Sequence, residues 1–187
     1  MKVVNFATSN KFKVDEANSV GKNFGIRFVQ LEVGYPEIRD ENVENVAKAG
    51  AKFVFEKIKK PVVVEDTGLY IKALNGFPGS YSKFVFQKIG NKGILRLLEG
   101  EKDRSAEFIS SVGYFDGKNL RTFTGISNGK ILEEEKGIAG FGYDPIFLPE
   151  GQEKTFAQDY SLKKKISHRK IAFEKFCKWF SKEFLLR

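Results

Sequence analysis

The sequence predicts an α/β fold with a mixed sheet flanked by helices. Three observations carry that prediction. Residues 2–7 (Lys-Val-Val-Asn-Phe-Ala) and 62–64 (Val-Val-Val) are short apolar runs of the kind that form buried strands, the second rich enough in β-branching to be parallel. Apolar residues recur at helical spacing after each strand-like run, as in Val14, Ala17 and Val20, or Val43, Val46, Ala47, Phe53 and Val54. Residues 106–115 and 119–125, parted by Asp116-Gly117-Lys118, read as a hairpin, which adds antiparallel strands to the sheet.

Taken in order, the first strand opens into Thr8-Ser9-Asn10, where Asn10 or Ser9 caps a helix that runs to Gly21. Residues 26–31 form a second strand. Pro36 breaks the loop that follows, and Asp40 or Asn42 caps the next helix, which Pro61 stops. Glu65-Asp66-Thr67-Gly68 comes directly after the valine strand. Residues 75–79 (Asn-Gly-Phe-Pro-Gly) are turn chemistry, followed by two short helical segments, 81–89 and 92–98. Three glycines between Gly137 and Gly142 mark an irregular loop. A last amphipathic helix begins near Ser167 and carries Ile171, Phe173, Phe176, Trp179 and Phe180.

The 187 residues, 41% hydrophobic with 19 Phe, suit one packed domain spanning 1–187 and argue against disorder. No apolar run approaches the roughly 20 residues of a membrane span, and residues 1–7 lack a secretory pattern. The one cysteine, Cys177, excludes an internal disulfide framework and a Cys-rich zinc site. A soluble, cytoplasmic protein is expected. The net charge of +8 invites a polyanion, but acidic residues are interleaved with the lysines throughout. The densest run, Lys163-Lys164-Lys165 with His168, Arg169 and Lys170 close behind, fits a solvated helix face or a site for phosphates. There is no P-loop, no dinucleotide-binding glycine fingerprint and no Gly-x-Ser-x-Gly, and a lone histidine cannot build a multi-His metal site.

Four constellations remain. Thr8-Ser9-Asn10-Lys11-Phe12-Lys13 is a polar turn at a helix N-terminus, where backbone N–H groups and the helix dipole favour an anion; a plain cap with a surface lysine fits as well. Glu65-Asp66 follows a strand, and a carboxylate there suits a hard cation such as Mg²⁺, with Glu37 as a partner. Phe141-Gly142-Tyr143-Asp144, preceded by Gly140, offers rings to stack on a base and an acceptor for its edge, or simply a turn with two core aromatics. Lys163 with Ser167-His168-Arg169 sits at the entry to the last helix.

In this order, with Gly76-Phe77-Pro78-Gly79-Ser80-Tyr81-Ser82 between them, the motifs span nearly the whole chain, which resembles the inosine triphosphate pyrophosphatases, the Ham1-like nucleotide pyrophosphatases, and their archaeal members in particular. The resemblance implies Mg²⁺-dependent hydrolysis of noncanonical purine triphosphates (ITP, dITP, XTP) to the monophosphate and pyrophosphate. It also implies a homodimer and an elongated mixed sheet in two lobes with a nucleotide cleft between them. Carried over by position, it implies that Thr8, Ser9, Asn10, Lys11, Phe12 and Lys13 hold the triphosphate and that Asp66 is the catalytic, metal-associated carboxylate. Glu37 falls on a metal ligand and Thr67 on a phosphate-contacting hydroxyl. Phe141, Gly142, Tyr143 and Asp144 bracket the base, Lys163 (or Lys164, should the register slip) touches phosphate, and His168 and Arg169 read the base edge. Lys83-Phe84-Val85 departs from the Ala-Arg-Tyr of many bacterial relatives. The rival readings are a Maf-like pyrophosphatase for other modified nucleotides, which Ser167-His168-Arg169 argues against, and a basic nucleic-acid-binding protein, which leaves Glu37, Asp66 and Asp144 unexplained.

Overall fold

The computed structural model describes residues 1–36 and 38–183. Its sheet has the order β2-β1-β3-β5-β6-β7, with β4 paired to β3 outside that path. The strands are β1 (Lys2–Ala7), β2 (Ile26–Leu31), β3 (Val62–Ile71), β4 (Pro78–Gly79), β5 (Ser105–Phe115), β6 (Leu120–Ile131) and β7 (Phe147–Pro149). The helices are α1 (Lys11–Gly21), α2 (Val43–Ile58), α3 (Ser82–Leu97), α4 (Tyr160–Ile166) and α5 (His168–Glu183). β1 runs parallel to β2 and β3, and every other pairing is antiparallel, so the sheet is mixed as expected.

Asn10 caps α1 by accepting from the Phe12 N–H, and Asn42 caps α2 by accepting from the Glu44 N–H. Asp40, the other candidate, instead accepts from the Asn42 N–H, one step upstream. Helix α3 joins the two expected segments across a break at Gly90, whose φ of 61° and ψ of −166° no helical residue adopts.

Strand β3 corrects the sequence reading. The valine run does not stop at Glu65-Asp66-Thr67-Gly68. The strand continues through them to Ile71, paired throughout with β5, Asp66 facing Ser111 and Thr67 facing Ser110. Strand β6 likewise runs on past residue 125 to Ile131, and β7 and α4 were not foreseen.

The long strands tie three apolar clusters together. Val63, Val112 and Tyr114 pack with α1 and α5 through Ala17, Phe173 and Phe176, and Val62 and Val64 pack on Ala51 and Val54 of α2. Farther along the same strands, Leu69, Ile71, Phe108 and Ile131 pack with Ile94, Phe147 and Phe156. One contact sets how closely α5 approaches the sheet. A Cβ on Gly125 of β6 would lie 2.1 Å from the His168 carbonyl oxygen and 2.6 Å from the Ala172 nitrogen, so only glycine admits the first turn of α5 there.

Candidate active site

β1 ends level with Val64, and β4 does not join β3 until Leu69. Between them, Glu65, Asp66 and Thr67 have no strand on that side, and the gap opens into a cavity of about 560 Å³. Its wall includes Thr8, Ser9, Asn10, Lys13, Glu65, Asp66, Thr67, Phe141, Gly142, Tyr143, Asp144, Lys163, His168 and Arg169. Four stretches far apart in sequence are thus brought together. Lys11 and Phe12 are not part of the wall, and both are exposed. Glu37 lies outside the described residues.

Side chains alternate along a strand, so Glu65 and Thr67 share the Val63 face with α1 and α5, and Asp66 shares the Val64 face with α2. The Glu65 side is a buried ionic network. Arg169 donates through Nε to Glu65 Oε1 at 3.1 Å, through Nη1 to Glu16 Oε2 at 2.9 Å and through Nη2 to Thr67 Oγ1 at 3.1 Å. The hydroxyls of Thr67 and Ser110 also donate to Glu65. Lys13 Nζ stands 2.7 Å from Glu65 Oε2. Lys163 Nζ lies 2.7 Å from Asp144 Oδ2, 3.3 Å from Glu16 Oε1 and 4.2 Å from the centre of the Phe141 ring. Three cations therefore meet three carboxylates, and Arg169, Lys163, Glu16, Glu65 and Asp144 are each no more than 3% exposed.

Such charges are tolerated out of water only because they are paired. Burial pushes the Glu65 carboxyl upward, but Arg169 and Lys13 overcome it and hold the group well below the usual carboxylate range. Glu16 is lowered the same way, its burial outweighed by Arg169 and Lys163. At Asp144 burial prevails, and its carboxyl is raised despite Lys163. His168 is buried, stacks on Phe108 at 4.5 Å and is held neutral, its pKa pushed well below 6.5 by burial and then by Arg169 and Lys163. Its Nδ1 has no hydrogen-bond partner among the described residues.

The geometry refines several expectations. In the 8–13 turn, the N–H groups of Asn10, Phe12 and Lys13 already bond within the turn, to Thr8 Oγ1, Asn10 Oδ1 and the Asn10 carbonyl. The turn therefore presents side chains more than bare amides. Lys163 is buried and lines the cavity, whereas Lys164 is exposed and is not part of its wall. Lys163 sits beside Phe141 and Asp144, among the groups expected around the base. Tyr143 is buried and donates to the Ser82 carbonyl at 3.0 Å, tying the 137–144 loop to α3.

Two members escaped the sequence reading. Glu16 stands one turn beyond Lys13 on the same helix face as Ala17 and Val20, and a charge on a buried stripe demands a partner. In the sequence Glu65 stands out only jointly with Asp66, as a carboxylate for a hard cation; in the fold it is the centre of the network. Asp66 and Glu32 both line the cavity, and carboxylates there suit Mg²⁺, which needs one or two of them when phosphates and water supply the rest. Among the described residues no group of three or more His, Cys, Asp and Glu side chains is placed to hold a metal ion unaided.

Known proteins resemble this chain in sequence and in fold. A protein of Methanopyrus kandleri named dITP/XTP pyrophosphatase is 51% identical over 182 residues, covering 96% of each chain. One of the same name from Thermococcus kodakarensis is 47% identical over 175 residues, covering 93% of this chain and 95% of its own. Among solved structures, a HAM1 protein from Coxiella burnetii superposes with a TM-score of 0.86 at 27% identity, over 97% of this chain and all of that one. The Staphylococcus aureus Ham1 protein gives 0.84 at 26%, with the same coverage. Residues 4–179 match the profile of the Ham1 family. With its motifs gathered around one cavity and its relatives aligned over almost its full length, the chain belongs to the Ham1 family.

Proposed function

We propose that this protein hydrolyses noncanonical purine nucleoside triphosphates (ITP, dITP and XTP) to the monophosphate and pyrophosphate, with Mg²⁺. The observation that carries the reading is the single cavity that joins Asp66 and the Thr8–Lys13 turn to a buried, partly unsatisfied polar wall at His168 and Arg169. The names of the archaeal relatives support the same substrate class.

In this reading Thr8, Ser9, Asn10 and Thr67 orient the triphosphate, and Lys13 opposes its charge. Mg²⁺ bound at Asp66 and Glu37 would neutralise further phosphate charge, of which an NTP carries about four units. Asp66 takes a proton from the water that attacks the α-phosphorus. The bond from that phosphorus to the bridging oxygen breaks, and pyrophosphate departs. For the base, neutral His168 has a ring nitrogen uncommitted among the described residues, and among them Arg169 uses three of its five N–H groups, on Glu65, Glu16 and Thr67. Donors placed there favour a 6-oxo purine, and adenine would leave them unpaired at a cost of about 1–3 kcal/mol.

The test is pyrophosphate release from ITP, XTP, GTP and ATP, with Mg²⁺ and with EDTA. Release from ITP and XTP that EDTA abolishes, yielding IMP or XMP, is expected. Orthophosphate release would move the cut to the γ-phosphate, and no turnover on any of the four would overturn the reading. We further propose a cytoplasmic homodimer. The exposed Tyr81, Phe84, Ile89 and Leu97 on and beside α3 supply apolar surface for it, and light scattering at micromolar concentration checks it. Among the described residues no helix is long and apolar enough to cross a membrane.

A further inference from the structure

Phe12 lies next to the residues of the cavity wall without being one of them. It is 47% exposed, an unusual place for a phenylalanine on the first turn of a helix. Its ring stacks on Phe141, with centroids 5.6 Å apart and planes 27° from parallel. Phe141 does line the cavity, and its ring also receives Lys163 Nζ at 4.2 Å and the Arg169 guanidinium at 5.5 Å. The loop that carries Phe141 has Gly137, Gly140 and Gly142 at positive φ and is tied down by bonds such as that from the Ala139 N–H to the Ala157 carbonyl, which place its backbone and leave the ring to its packing. Asp144 accepts from the Phe141 N–H at 2.9 Å, which fixes the loop's backbone but not the ring.

Phe12 and Lys13 leave the same helical turn in two directions. Lys13 reaches β3, donating to the Glu65 carbonyl at 3.1 Å, and Phe12 reaches the 137–144 loop. From this we infer that Phe12 is a positioning residue for base recognition: by stacking on Phe141 from outside the cavity, it holds that ring in place in the wall that meets the purine. The inference rests on the proposed nucleotide site. It replaces the expectation that Phe12 contacts the triphosphate itself.

The test compares Phe12→Ala, Phe12→Leu and Phe12→Tyr with the parent, using calorimetric titration of IMP and, separately, of inorganic tripolyphosphate. An aromatic pair of this geometry is worth about two- to tenfold in an equilibrium. Phe12→Ala and Phe12→Leu should weaken IMP by about that factor and leave tripolyphosphate within twofold, and Phe12→Tyr, which keeps the ring, should bind IMP like the parent. In turnover of ITP the change should fall on KM and spare kcat. Unchanged IMP affinity in the alanine and leucine variants would overturn the inference, as would an equal loss for tripolyphosphate, which would make Phe12 a phosphate-loop residue. A parent that binds IMP but turns over no triphosphate would refute the proposed activity and leave this comparison standing. A parent that binds no IMP refutes this inference, and the proposed activity is then decided by pyrophosphate release alone.

Discussion

Glu16 Oε2 and Arg169 Nη1 lie 2.9 Å apart, joining the first helix to the last across 153 positions of sequence. Both side chains are almost wholly buried. The pair also shares its partners: Glu16 accepts Lys163 and the Tyr160 hydroxyl, and Arg169 binds Glu65 and Thr67. Removing Glu16 therefore leaves two buried cations, Lys163 and Arg169, under-compensated.

Glu16→Gln keeps the volume and deletes the charge. It should destabilise the fold by about 3–5 kcal/mol, the range for removing one partner of a buried pair. Glu44→Gln, which breaks the half-exposed Lys48–Glu44 pair, should cost under about 1 kcal/mol. Urea unfolding of both variants checks the contrast, and equal costs would refute the buried network as the stronger element.

Asp66→Asn should lower pyrophosphate release from ITP by about 10²–10⁴ and leave the melting temperature close to the parent's, since asparagine keeps the size and shape of the side chain. Steady-state kinetics beside a thermal melt decide. Turnover near the parent's would remove Asp66 from the catalytic role.

His168 makes a specific prediction about pH. Its folded pKa is lowered well below 6.5, so between that value and the folded pKa the unfolded chain binds the extra proton. Stability should accordingly fall as pH drops below about 6.5, by up to about 1.4 kcal/mol per unit. Glu16 and Glu65, both lowered from 4.5, lose their contribution only at lower pH. Asp144, raised from 3.8, acts with the opposite sign. Subtracting the curve of His168→Gln from that of the parent isolates the histidine, and a flat difference between pH 7 and 5 would contradict its burial in neutral form.

Gly125→Ala should force the first turn of α5 outward, because the new methyl would meet the His168 carbonyl at 2.1 Å. A cost of about 1–3 kcal/mol is expected, as for other overpacked sites. His168 and Arg169 ride on that turn, so selectivity for ITP over ATP should fall with stability. Retained selectivity at lowered stability would show that the turn relaxes without moving the site.

Most of the fold was legible because its signals are local. The caps Asn10 and Asn42, the hairpin at 116–118 and the break between the two halves of α3 each follow from residues a few positions apart. Strand β3 was misread for the opposite reason. Glu65-Asp66-Thr67-Gly68 has turn composition, and it stays extended because Lys13, Arg169 and Ser110, distant in sequence, satisfy Glu65 in the middle of a sheet. The same nonlocality hid Glu16. Thr8, Asp66, Asp144 and His168 could be picked out as site residues from their motifs, but no motif says that Lys13, Lys163 and Arg169 meet carboxylates of the chain itself.

The span from Glu16 to Arg169 also bears on synthesis. A ribosome releases the first helix and the β1–β3 core long before Lys163 and Arg169 emerge, and until then Glu16 and Glu65 have no buried cation from the chain's far end to meet them. Until those cations emerge, the nascent N-terminal half must keep those two carboxylates hydrated. The cavity's inner wall is sealed only when α4 and α5 dock, so completion of the site is among the final events in the birth of the molecule.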